Sequence, residues 1–194
     1  TNLIAPVSIG IITRLVSHYG PNAVAGFGVG SRLDMFALTP VMALSSVLGP
    51  FIGQNVGAKN THRLKEGTNI SFLFAIAWGV FVFILFIVMK QPIAALFNKE
   101  PGVIDVIVSY LLYVSISYGF NGILTLAASI FNAANKPFHS TVIGVVRMIV
   151  FLVPFAYIGS SLYKLDGIFI GITVSALLSS ILALVMIRRF LNNG

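Results

Sequence analysis

The chain has 194 residues, of which 57% are hydrophobic and 9% charged, with a formal net charge of +7 and no cysteine. Soluble domains carry about a quarter charged residues, so this composition excludes that class, and the missing thiols exclude disulfides and cysteine-based metal sites. The charge also does not read as a nucleic-acid footprint, because the basic residues gather at the ends of long apolar runs.

Those runs define the elements. No charge occurs from Gly67 through Met89, from Val106 through Asn135, or from Gly167 through Ile187. A helix of such length spans the roughly 30 Å of bilayer hydrocarbon, and continuous apolarity without alternation argues against a β-barrel. The reading is an all-α polytopic membrane protein with one partial and five complete spans. In chain order these are about 1–18, 22–55, 67–90, 104–133, 139–162 and 167–189, joined by the short connections HYGPN, GAKNTHRLKE, QPIAALFNKEPG, AANKP and SSLYKLD. The chain opens with Thr1 in apolar text, so a fragment lacking an N-terminal portion is expected. His18, His62 and His139 show no metal-binding spacing, and no metal or cofactor is expected.

The first span carries Arg14 near its outer end, where its long side chain can snorkel to the interface. The second contains Gly26, Gly28 and Gly30, a small-residue face for close helix approach. Arg32 and Asp34 follow, too close in sequence to face each other on a helix, so each is expected to find a partner on another helix or a cavity. Pro40 and Pro50 each remove a backbone hydrogen bond and invite a bend. At the end of this span Gln54 and Asn55 can satisfy the last carbonyls and Gly57 can release the helix. The fourth span carries Tyr118, Asn121, Thr125, Ser129 and Asn132 at i+3/i+4 spacing, one polar stripe along a helix. Lipid gives no reason for such a stripe. Small-residue packing with interhelical hydrogen bonds and the lining of a cavity both do, and cavity lining is the expectation for Tyr118 and Asn121. In the fifth span Arg147 either reaches back to the headgroups or projects into the bundle.

Lys59, Arg63, Lys65, Lys136, Arg188 and Arg189 lie on one set of alternate connections, against Lys90, Lys99 and Lys164 on the other. The imbalance places the richer side, and the C-terminus, in the cytoplasm. The spans hold no paired carboxylates, no HExxH and no Ser–His arrangement, so an enzyme is not expected. Kinked helices suit alternating-access transporters and are common in static bundles as well, so by themselves they name no function.

GSRLDMFALTPVMALSSVLGPFIGQNVGAKNTHRLKEG (30–67), with Arg32, Pro40, Pro50, Gly53, Gln54, Asn55, Gly57 and Arg63, resembles the C-terminal half of the multidrug and toxic compound extrusion family. PIAALFNKEPGVIDVIVSYLLYVSISYGF (92–120) and SIFNAANKPFHSTVIGVVR (129–147) are similar to that family's later helices. The resemblance implies a twelve-helix antiporter of two six-helix lobes, of which residues 1–194 form the C-terminal one and the N-terminal lobe is absent. It implies export of small cationic or amphipathic drugs or metabolites in exchange for H⁺ or Na⁺ by alternating access. The setting is a bacterial or archaeal plasma membrane, with membrane lipids and the other lobe as partners and no nucleic acid. Within this family the NorM-like branch pairs a tenth-helix Tyr with an Asp four positions later at its cation site. Asn121 stands where that Asp is expected, so the resemblance leans to DinF-like or MepA-like exporters. Asp34 is then the acidic residue left in the spans to attract a cation. A flippase for lipid precursors or polysaccharides of the same superfamily is the alternative.

Overall fold

A computed structural model describes residues 4–192, and every described element is helical. Helix α1 covers Ile4–Ser17, α2 Pro21–Gly57, α3 Thr61–Phe97, α4 Pro101–Val114, α5 Tyr118–Ala133, α6 Pro137–Val146 and α7 Val153–Asn192. Helices α4 and α5 are one rod interrupted by a 3₁₀ turn at Ser115–Ser117, and α6 continues into α7 through a wider π turn at Arg147–Leu152. Four helical stretches, 21–57, 61–97, 101–133 and 137–192, are long and apolar enough to cross a membrane.

The last of these is a hairpin. Tyr163 and Lys164 leave helical geometry, Lys164 with a φ of 54°, and the chain folds back so that Gly159 lies against Gly167 and Phe155 against Gly171. A Cβ on Gly159 would fall onto the backbone of Gly167, so only glycine lets the two arms approach this closely. The other reversals resemble one another. Lys59 and Asn135 adopt left-handed conformations (φ 52° and 57°), and Gly20 has a φ of 97°, each releasing the helix before it.

Helix α3 is longer than the span expected over 67–90, and much of both flanking connections is helical. At its start the Asn60 side chain accepts a hydrogen bond from the Arg63 backbone N–H at 3.1 Å, a helix cap that starts the helix before the charged residues rather than after them. At its end the helix passes through Pro92 to Phe97. Proline does not stop it there because ordered apolar contacts follow, with Ala94 fully buried.

Neighbouring elements alternate in direction. Phe51 packs beside Gly67, Gly79 against Gly119 and Phe131 on His139, which sets α2 antiparallel to α3, α3 to α5 and α5 to α6. Helices α2 and α4–α5 run parallel, with Gly26 beside Val106, Gly30 beside Tyr110 and Gly53 beside Ala133. The turns at 18–20, 98–100 and 160–166 therefore share one end of the bundle, and those at 58–60 and 134–136 share the other with Phe190.

Lipid offers little hydrophobic drive for helices to associate, so close packing and small residues carry the bundle. Gly79 meets the Gly119 backbone, Gly122 meets Ala75 and Val41, and Ser129 Oγ donates to the Ser45 carbonyl at 2.9 Å. Around these crossings a core of Val41, Leu48, Ile52, Ala75, Leu126, Ile130 and Phe131 is almost wholly inaccessible. The outward face is apolar as well: Met35, Phe36, Val47, Ile70, Leu73, Val80 and Val88 are exposed. In water such a belt would be an aggregation surface. In a bilayer it is the face the solvent requires.

Candidate functional site

Asp34 lies thirteen residues into α2, roughly 20 Å along the helix from its first turn. Tyr110 Oη donates to its Oδ2 at 2.5 Å and Tyr118 Oη to its Oδ1 at 2.7 Å. Both distances lie in the range of O–H···O hydrogen bonds. The two tyrosines stand on either side of the 3₁₀ turn, about 12 Å apart along the rod, and their side chains converge on one carboxylate.

Packing makes this possible. Gly30 leaves room for the Tyr110 ring, which a side chain there would strike, and Gly26 leaves room for Val106. Gly28 faces open space. The Tyr110 ring meets Phe27 and Phe169 edge-on, and that of Tyr118 meets Phe86 edge-on. Both tyrosines are almost fully buried, so their angles are set by neighbours rather than by solvent.

Beside this carboxylate lies a second polar group. Asn121 Nδ2 donates to Ser117 Oγ at 2.9 Å, and Arg147 donates from a terminal guanidinium nitrogen to Asn121 Oδ1 at 2.6 Å. The amide orientation is the one these two bonds require, since its oxygen faces a group that can only donate. Arg147 begins the π turn between α6 and α7, and π turns in helices are frequent at functional positions. The guanidinium points into the bundle, onto Asn121 one helical turn from Tyr118. Of the two routes open to Arg147 from sequence, the headgroups and the interior, it takes the interior.

Toward the 134–136 end, α2 and α5 part to form a groove of about 640 Å³, lined by Ser45, Ser46, Gly49, Thr125, Ser129 and Asn132 with Met42 and two alanines. Thr125 Oγ1 donates to the Asn121 carbonyl at 2.9 Å, so the groove and the polar centre meet along one helix face. Tyr118 and Asn121 sit in the centre, while Thr125, Ser129 and Asn132 line the groove. Trp78 Nε1 donates to the Ala37 carbonyl at 2.8 Å, in the turn that Pro40 interrupts.

Arg32 is not brought into this constellation. It is exposed on another face of α2 from Asp34. The Gln54–Arg63 segment is also remote from it. Asn55 is buried and donates from Nδ2 to the Phe51 carbonyl at 2.8 Å, Gln54 is exposed, Gly53 faces the Ala133 carbonyl, and Gly57 ends the helix. Pro50 sits inside α2 without breaking it.

Tyr110, Ser117 and Arg147 are members of the centre that the polar stripe alone does not mark. Tyr110 lies eight residues before Tyr118, about 80° round the helix from it, so it falls outside a stripe started at 118. Among the described residues no group of three or more His, Cys, Asp or Glu could hold a metal ion.

A helical membrane bundle whose mid-span carboxylate adjoins a polar groove is the build of a membrane transport lobe. The family model MatE matches residues 1–158, and the chain belongs to that family, the multidrug and toxic compound extrusion transporters. It is 34% identical over 188 residues to a FAD transporter of Shewanella oneidensis, an alignment covering 97% of this chain and 42% of that protein. It is 28% identical over 177 residues to the probable multidrug resistance protein YpnP of Bacillus subtilis, covering 91% of this chain and 40% of the relative. Among solved structures, the bent form of the Vibrio cholerae MATE transporter VcmN superposes with a TM-score of 0.95 at 30% identity, covering 98% of this chain and 44% of that one. The chain thus spans less than half the length of these relatives, as one lobe of a twelve-helix transporter does.

Proposed function

We propose that this chain is the C-terminal lobe of a secondary exporter, working by alternating access and exchanging its substrate for H⁺ or Na⁺. The observation that carries the reading is the Asp34 carboxylate, held by Tyr110 and Tyr118 at mid-span on the same helical rod whose Thr125 lines the groove. A carboxylate inside hydrocarbon is expensive and is kept where its charge is used. The groove offers hydroxyls, an amide and apolar walls, which suit amphipathic or lipophilic cationic molecules. The relative that transports FAD adds flavin nucleotides to the substrates worth testing.

Tyr118, Asn121 and Thr125 are the residues on which substrate and coupling ion would act together with Asp34, and Arg32 would affect the route only from outside this centre. A MepA-like rather than NorM-like character rests on Asn121, an amide where the resemblance expects the acidic residue of the NorM-like branch. The lobe would lie in a plasma membrane with the other lobe of the same protein facing its groove.

The test is transport by the full-length protein in inverted vesicles, with pH and sodium gradients imposed separately and a fluorescent cation and FAD offered in turn. One gradient should drive uptake of at least one substrate, and Asp34→Asn should cut that uptake by at least about tenfold, the loss expected when a single required charge is removed. Uptake that ignores both gradients would sink the exporter reading. Gradient-driven uptake unchanged by Asp34→Asn would move coupling out of this lobe.

A further inference from the structure

The polar centre contains an unusual ingredient for a site that exchanges ions. Asp34, the Tyr110 and Tyr118 hydroxyls, Ser117 Oγ and Asn121 Oδ1 form an oxygen-rich cluster of the kind that hard cations choose. Its acceptors are already committed to donors of the protein itself. Each Asp34 oxygen accepts from a tyrosine hydroxyl, Ser117 Oγ accepts from Asn121 Nδ2, and Asn121 Oδ1 accepts from Arg147. The Arg147 guanidinium brings a permanent positive charge to Asn121, one helical turn from the Tyr118 that holds Asp34.

We propose that Arg147 is a tethered cation, held by Asn121 in the place that an alkali-metal ion would take beside Asp34, and that it makes this lobe indifferent to sodium. The inference rests on the exporter reading only in taking the Asp34 centre for the site where a coupling ion would act.

Three features support it. The first is charge. Asp34 and Arg147 together are neutral, so a sodium ion entering the cluster would add an uncompensated charge in a low-dielectric setting and would be repelled by the guanidinium. The second is ligand supply. The Asn121 carbonyl oxygen faces Arg147 at 2.6 Å, and a cation could use it only by displacing that group. The third is the helix that carries Arg147. The π turn at Arg147–Leu152 inserts an extra residue's width into the α6–α7 rod, which re-aims the side chains that follow. Arg147 begins that turn and projects toward α5, where Asn121 meets it.

Saturable binding of ²²Na⁺ to the purified full-length protein tests this without substrate, gradient or transport, so its result stands apart from the fate of the exporter reading. Wild type should show no sodium binding that depends on Asp34: Asp34→Asn should leave the binding curve unchanged. Arg147→Gln, and Arg147→Met as a second uncharged variant with a different folding risk, should gain sodium binding at least about tenfold tighter than any shown by wild type. That gain should vanish in the double variants that add Asp34→Asn. Arg147→Lys keeps the charge and should behave as wild type. Two results would overturn the proposal: wild-type sodium binding that Asp34→Asn abolishes, or a folded Arg147→Gln or Arg147→Met protein that binds sodium no better than wild type.

Discussion

Asp34 depends on its neighbours for more than their hydrogen bonds. Two tyrosine hydroxyls that are almost wholly buried donate to it, so removing the carboxylate would take that acceptor from both. Asp34→Ala should lower stability by about 2–6 kcal/mol, one desolvated hydroxyl at roughly 1–3 kcal/mol twice over. Asp34→Asn, whose amide oxygen still accepts, should cost less than half as much, and thermal unfolding in detergent separates the two. At this scale the sequence is a partial guide. The spacing of Arg32 and Asp34 already excludes a pair between them, and Asp34 does find its partners on another helix while Arg32 stays exposed. Which tyrosines it would meet could not be read, because that depends on Gly30 admitting the Tyr110 ring across a helix interface far apart in sequence.

Elements follow from local chemistry more directly. Long apolar runs make long helices, and the all-helical membrane architecture is legible from the uncharged stretches alone. What local signals mislead about is where helices stop. Charged residues from Arg63 to Glu66 and the proline at 92 both look like interruptions, yet α3 runs from Thr61 to Phe97 through all of them. An Asn60 cap starts the helix early, and a proline in a helix flanked by packed neighbours bends the rod without ending it. The crossing of α3 with α5 is a tight constraint on packing. Gly79 lies on the Gly119 backbone, which has no side chain to move aside. Gly79→Ala should therefore cost about 1–3 kcal/mol, visible as a lower unfolding midpoint. Gly28→Ala, at a glycine that faces open space, should leave that midpoint nearly unchanged.

For the molecule as a whole, the distribution of charge has acquired a location. Lys59 and Lys136 belong to turns, and Arg63 to the first turn of α3, at one end of the bundle, where Lys136 Nζ sits 4.6 Å from the centre of the Phe190 ring. Lys99 and Lys164 belong to turns at the other. The richer end should face the cytoplasm. Residues 1–194 hold no cysteine, so a single replacement introduces the one thiol of this lobe. Lys136→Cys should resist a membrane-impermeant maleimide in whole cells and react in inverted vesicles, and Lys164→Cys should do the reverse. The opposite pattern would invert the lobe in the membrane. A bulky Ser129→Trp should block the groove between α2 and α5, lowering transport by the full-length protein without shifting the Asp34 centre.

The forked tyrosines have a mechanical consequence. Tyr110 and Tyr118 grip the same carboxylate from opposite sides of a 3₁₀ joint. Twisting α5 about its axis against α4 would carry one hydroxyl toward Asp34 and the other away. Both bonds can be kept only at one torsion of the joint, so the carboxylate acts as a detent: it registers the angle between two halves of a single rod, and slips when that angle changes.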